Sequence, residues 1–552
     1  MGTTAKQLKT RCLSSLTKVF ADEELQDTAY NRGSALRNET YSFQVAFYTN
    51  GPMIKDIQVH IESEIDAEIQ LRTVGLAPSE FPCYVHHDEN ILRSTPGLYP
   101  DPLFPVTEEG LTAFTNQWRS LWVTVDVDTH APAGLHDIGV SFQAASGETL
   151  ANEVFQLEVI PAELPEQQLI HTEWFHTDCI ADQYQVDVFS EPHWKLVEKY
   201  VQTAVKHGMN MLLTPIFTPP LDTEIGGERP TVQLVAVEKE GEHYTFSFEK
   251  LKRWIDMCSN IGIRYFEFSH LFSQWGAKHA PKIMATENGE MKQIFGWDTD
   301  ASGVDYRSFL NQFLPELVRF IHEQGLKDRV YFHVSDEPSI QDIESYKSAS
   351  EQLHEHLSAF PIMDALSDYD FYQKGLVKNP IPANNHIEAF LENGVPDLWT
   401  YYCCAQNVDV SNRFFAFPSA RNRVIGMQLY KYDIKGFLHW GYNFWFTQFS
   451  KRSLDPFRNT DAGYGFPSGD AFVVYPGEDG PIESIRLEVF YEGLQDQRAL
   501  QLLESLIGKE EVVALLEKDL DKPITFKAYP EDKLDILQKR EEVNRLIAKN
   551  IK

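Results

Sequence analysis

The chain has 552 residues, a formal net charge of −32 and 43% hydrophobic residues. That charge argues against nucleic acid, anionic membrane or polyanionic substrates as partners, because like-charge repulsion opposes encounter at long range. The hydrophobic share is ordinary for a globular protein, and a prior of about one domain per 150 residues gives two to four domains.

No apolar run reaches the roughly 18 residues of a membrane span. The first stretch, MGTTAKQLKTRCLSSLTKVFADEEL, has no apolar signal core. Cys12, Cys83, Cys179, Cys258, Cys403 and Cys404 show no CxxC spacing. The expectation is a reduced, cytoplasmic protein without structural zinc, with secretion open if a leader has been trimmed.

From about Ser14 to Glu158 the pattern has period two, as in Tyr41–Phe47, Ile57–Ile61, Leu121–Val127 and Ile138–Phe142. Turn signals such as Asn50-Gly51 and Ala131-Pro132-Ala133-Gly134 separate the runs. Residues 1–160 therefore read as an antiparallel β-sandwich. His86-His87-Asp88-Glu89 has metal-binding residue types, but adjacent histidines in a polar loop are more simply solvated, and no metal is expected.

Residues 161–166, with Pro161 and Pro165, form a linker. Beyond it, strands alternate with amphipathic helices. Candidate strands are Leu169–Phe175, Asn210–Pro215, Ile263–Phe268, Val330–Pro338, Pro361–Leu366, Asp397–Cys403 and Gly436–Trp445, with Asn379–Leu391 ambiguous. A count near eight predicts a TIM-type (β/α)8 barrel over residues 167–505. Val232–Ser247 and Lys282–Phe295 read as hairpins overhanging its mouth. Ser484–Leu506 reads as a helix broken near Gly493, and 506–552 as a helical segment packed on the barrel. Gly463-Tyr464-Gly465 is too short for a dinucleotide or phosphate loop, and no cofactor is expected.

Chemistry concentrates where the strands end. Glu173, Trp174, His176 and Asp178 follow the first. Ser269, His270, Gln274 and Trp275 follow the third. Trp399, Tyr401 and Tyr402 mark a later strand, and His439, Trp440, Asn443 and Trp445 the last. Each aromatic alone is more simply core packing, but their recurrence suits a sugar, which presents apolar C–H faces ringed by hydroxyls.

Asp336 and Glu337 stand side by side before Pro338. The plain reading is a helix start. At a barrel rim, however, two carboxyls in one pocket cannot both ionise cheaply, and glycosidases use such a split. Neighbours on an ideal strand point to opposite faces, so a bulge or early exit would be needed to bring both to one substrate. Adjacent carboxyls do not readily flank a glycosidic bond as nucleophile and acid. They suit substrate-assisted attack by a 2-acetamido oxygen, with Asp336 orienting that group and Glu337 as general acid, then base.

The Ser335-Asp336-Glu337-Pro338 end, Leu398–Cys404, Gly436–Trp445, Tyr475-Pro476-Gly477 with Ser484–Glu488, and Leu36–Gln44 together resemble glycoside hydrolase family 123. The Asp-Glu pair alone does not distinguish it, since family 20 hexosaminidases also use one. The resemblance implies a retaining exo-β-N-acetylgalactosaminidase acting on an oligosaccharide or glycoconjugate. It assigns Asp336 and Glu337 the roles above, with contacts from Trp399, Tyr401, Trp440 and Asn443. Two alternatives stand beside it. One is a glycosidase for sugars lacking the acetamido group, with Glu267, Glu173 or Asp364 as nucleophile. The other is a non-catalytic carbohydrate-binding protein.

Overall fold

A computed structural model describes residues 8–551. Two five-stranded sheets open the chain. One runs in the order Lys9–Ser14, Thr40–Tyr48, Arg119–Val127, Ala67–Ser79, Gly97–Pro105. The other is Arg32–Arg37, Thr149–Glu163, Gly134–Gln143, Ile54–Ser63, Leu111–Ala113. Period-two alternation sends Phe43, Val45 and Phe47 inward, where Phe43 stacks on Phe155 with ring centroids 4.1 Å apart. Pairing is not antiparallel throughout, because Arg32–Arg37 runs parallel to Thr149–Glu163.

After Glu163 come eight short parallel strands, and here the barrel expectation is corrected. Hydrogen bonding divides them into three sheets rather than one closed one. Trp399–Tyr401, Gly436–His439 and Ile170–Glu173 form the first. Met211–Thr214, Tyr265–Phe268 and Val330–Tyr331 form the second, and Met363–Ala365 with Asn379–Ile381 the third. The chain as a whole is built of several separate β-sheets, with the helices packed around them.

The ladders stop for visible reasons. Pro361 and Pro382 lie at the joins and have no N–H to donate, so only isolated bridges, Phe332–Ile362 and Ala383–Tyr401, cross them. Between the first and second sheets Asn210 replaces a ladder. Its side-chain oxygen accepts from the His171 N–H at 2.9 Å, its amide donates to the Leu169 carbonyl at 2.9 Å, and its own N–H donates to the His171 carbonyl at 3.2 Å.

The helices Glu191–Lys206, Glu249–Ile261, Val304–Glu323 and Ile343–Leu357 connect and cover these strands. In the first, Ser190 caps the N-terminus, Pro192 occupies its first turn, and Trp194, Val197, Tyr200, Val201 and Ala204 form the buried face. The two hairpins pair with each other in a four-stranded sheet, Ala236–Glu240, His243–Ser247, Ile283–Glu287 and Glu290–Phe295.

The helix Ile485–Ile507 is continuous, so the expected break at Gly493 is corrected. Gly493 is there for contact. A Cβ on Gly426 would lie 1.9 Å from the Gly493 carbonyl oxygen, so two helices meet backbone to backbone. Buried ion pairs tie the opening sheets to the C-terminal helices. Arg486 engages Asp101 at 2.8 and 2.9 Å, and Arg540 engages Glu39 at 2.8 Å. Among the described residues no helix is long and apolar enough to cross a membrane.

Candidate active site

Val330–Pro338 does not form one strand. Only Val330–Tyr331 is in the ladder, and the chain then turns off it. Asp364 steers this exit: its Oδ1 accepts from the Val334 and Ser335 N–H groups at 3.0 and 3.3 Å. The Ser335 hydroxyl donates to the Ser273 carbonyl at 2.8 Å. Glu337 then takes a left-handed conformation, φ 44°, with its N–H on the Ala365 carbonyl at 3.2 Å. That backbone is costly for a side chain of its size, and such strain concentrates at functional sites. Its effect is to line one cleft with both carboxyls, which an extended strand would have pointed apart.

The cleft has a volume of about 260 Å³. Trp174, Trp275, Trp440, Phe449 and Phe466 supply aromatic surface. Asp222, Gln274, Tyr401, Cys403, Cys404 and Gln448 add polar edges. No lysine or arginine is on its walls among the described residues.

Gln274 donates to Asp336 Oδ2 at 2.7 Å, and the Tyr401 hydroxyl donates to Glu337 Oε1 at 2.7 Å. Asp336 is buried and Glu337 exposed. Burial, then the neighbouring Glu337 charge, pushes the Asp336 carboxyl up to about 8, with the Gln274 hydrogen bond and the His333 charge acting the other way.

Beneath the pair lies a charged support. His333 Nε2 meets Glu267 Oε1 at 2.6 Å, and its Nδ1 lies 3.4 Å from Asp364 Oδ1. Burial opposes the imidazolium, but Asp364 and Glu267 push it up to about 10. Glu267 also accepts from Thr172 and from the Trp174 indole, both at 2.7 Å, which fixes that ring in the cleft wall. Tyr346 donates to Asp364.

The family model for the glycoside hydrolase 123 catalytic domain matches residues 174–503, a span that contains every residue of this cleft. The chain belongs to glycoside hydrolase family 123. A family 123 glycoside hydrolase from Clostridium perfringens, solved in a study of glycolipid glycan hydrolysis, has the same fold. It superposes with a TM-score of 0.74 at 16% identity, over 98% of this chain and 97% of that one. A Parabacteroides merdae β-glucuronidase overlaps more loosely, with a TM-score of 0.33, 10% identity, and 89% and 52% of the two chains. A Thermotoga petrophila endo-β-1,4-mannanase does so with 0.34, 13%, and 60% and 77%. No curated protein matches the sequence.

In this glycosidase the predicted site residues separate into two layers. Asp336, Glu337, Trp174, Trp275, Tyr401 and Trp440 line the cleft. The others do not. Glu173 is buried on Arg413 at 2.8 Å, and Arg413 also donates to His439 Nδ1 at 2.8 Å. His176 lies against Arg229 at 3.2 Å and receives no opening to the cleft, while Asn443 accepts the His176 N–H at 2.8 Å. His270 is buried and stacked on His333, ring centroids 4.2 Å apart. Trp399 lies flat over Gly436, where a Cβ would sit 2.0 Å from the indole. Trp445 is core, donating to the Val474 carbonyl at 3.2 Å.

The hairpins contribute nothing to the cleft walls. Asp222 and Phe449 come instead from loops without a strand-end motif, and sequence reasoning missed them. Gln274 stood among the strand-end polar residues, but its bond to Asp336 had no sequence signal.

Two groups bring metal-ligating atoms together, His270–His333–Asp364 and His207–Glu483–Glu488. In the first, both His333 ring nitrogens already face carboxylates, Glu267 at 2.6 Å and Asp364 at 3.4 Å. In the second, both glutamates already pair with Arg72. In the Asp88 loop, Asp88 is held by both terminal nitrogens of Arg421 at 2.8 Å.

Proposed function

We propose that the enzyme is a retaining exo-β-N-acetylgalactosaminidase that works by substrate-assisted catalysis. The observation that carries this reading is the adjacency of two carboxyls on one cleft wall, each with one oxygen held by the protein and the other unclaimed. Asp336 Oδ1 receives no donor among the described residues and suits an acetamido N–H. That contact turns the acetamido oxygen toward the anomeric carbon, and, in the form of the pair that keeps its single proton on Glu337, attack closes a cationic five-membered ring beside the Asp336 carboxylate. Glu337 protonates the departing glycosidic oxygen, then removes a proton from the water that reopens the ring. An intramolecular nucleophile gains an effective molarity of order 10⁵ M or more when aligned. Aromatic walls without a cation suit a neutral sugar.

The reading with a separate nucleophile is less well supported. Glu267, Glu173 and Asp364 are each buried in ion pairs or hydrogen bonds, and none lines the cleft.

The test is a panel of aryl β-glycosides with and without the 2-acetamido group, together with a thiazoline mimic of the cyclic intermediate. Cleavage confined to acetamido sugars, with thiazoline inhibition, is expected. Equal cleavage of the sugars lacking that group would overturn the mechanism.

A further inference from the structure

Besides the catalytic pair, Asp222 is the only carboxylate on the cleft wall among the described residues. It belongs to the loop after Met211–Thr214, two strands from the one that leads to Asp336 and Glu337 in the same sheet. Strand spacing puts those two origins about 10 Å apart, with the Gln274–Trp275 loop between them.

Its placement is unusually constrained. Asp222 has φ 39°, and the segment that holds it contains Phe449 at φ 62° and Ser450 at φ 55°. The Phe449 N–H donates to Asp222 Oδ2 at 3.0 Å, and the Ser450 hydroxyl donates to the Asp222 carbonyl at 2.6 Å. The Glu224 N–H returns a bond to the Phe449 carbonyl at 3.2 Å. Three side-chain-bearing residues in left-handed backbone, clasped together at a cleft rim, are expensive unless the clasp aims something. What it aims is Asp222 Oδ1, to which no group among the described residues donates.

We propose that Asp222 is the specificity-determining acceptor for a ring hydroxyl on the side of the sugar away from the acetamido group. The inference rests on the substrate reading above. With C1 at Glu337 and the 2-substituent at Asp336, the donors left on a pyranose are the 3-, 4- and 6-hydroxyls. A fixed acceptor at the far end reads whether the 4-hydroxyl is axial or equatorial. A site built to bind a hydroxyl discriminates strongly, because its acceptor is left unpaired when that hydroxyl is missing. Burial pushes the Asp222 carboxyl up to about 6, so it is mostly an anionic acceptor at neutral pH.

The experiment compares wild type and Asp222→Asn on an aryl β-N-acetylgalactosaminide, its 3-, 4- and 6-deoxy analogues and the gluco epimer, with melting curves to establish folding. The same set without the acetamido group is run in parallel, and the comparison is read on whichever parent is cleaved faster. If the unsubstituted set is the faster, the substrate reading fails while Asp222 is still judged. Expected is a loss of at least about tenfold in kcat/KM on the parent. On one deoxy analogue the loss falls to within about twofold, and the galacto-to-gluco ratio narrows. A uniform loss across every sugar would make Asp222 part of the chemistry and overturn the proposal. So would unchanged kinetics in a folded Asp222→Asn variant.

Discussion

Two buried acids, each beside the end of a short parallel strand, behave oppositely. Glu173 ends one strand in contact with the Arg413 guanidinium, which, against the effect of burial, holds its carboxyl well below the ordinary range. Asp336 follows another strand, has no guanidinium or ammonium on the cleft wall and only the His333 charge beneath it, and is pushed upward. The first is charge neutralised within the fold. The second is charge deferred until a ligand arrives. Burial alone does not distinguish structure from chemistry; the partner does.

The largest expected effect breaks the chemical half of that contrast. Glu337→Gln should lower kcat on an acetamido glycoside by about 10²–10⁴-fold, read by steady-state release of the aryl group. Asp336→Asn should cost about 10²-fold in kcat on the same substrate while raising the melting temperature. The sign follows from linkage. A folded-state carboxyl raised from about 4 to about 8 binds more protons than the unfolded chain in that window, so stability falls as pH rises through it. Asparagine has no proton to lose, so the gain in melting temperature should grow from pH 4 to pH 8. A variant no more stable at pH 8 than at pH 4 would contradict this account of Asp336.

Arg413→Met should break the structural half, costing about 3–5 kcal/mol of stability in denaturant melts by stranding Glu173. Tyr401→Phe should cost about tenfold in kcat, the value of a hydrogen bond to a charged group. The smallest effect is in pH. The pair works with one proton between its two carboxyls, so kcat/KM should decline as pH rises through about 8, where that proton leaves.

The acid pair and four cleft aromatics were legible because residue types at strand ends carry a chemical signature. The signature did not resolve depth. Glu173, His176, His270, Trp399, His439, Asn443 and Trp445 have the right composition yet point one layer below the cleft or into the core. Whether a side chain turns toward the cleft depends on where each strand leaves its ladder, and Val330–Tyr331 left seven residues earlier than Pro338 suggested. Closure of the parallel strands was misjudged for a related reason. Strand number was countable, but the prolines at the joins and the Asn210 side chain decide which neighbours share a ladder. Asp222 was invisible because its conformation is imposed by Phe449 and Ser450, more than 200 residues away.

Asn210 has a consequence of its own. A sheet ladder is redundant, since one lost bond leaves its neighbours in register. A junction carried by a few side-chain bonds, Asn210 at one level and Glu267 to Thr172 and Trp174 at another, has little such spare. The walls bearing Trp174 and Asp222 are tied at Asn210 and at Glu267, so the spacing between them rests on two side chains and not on a ladder.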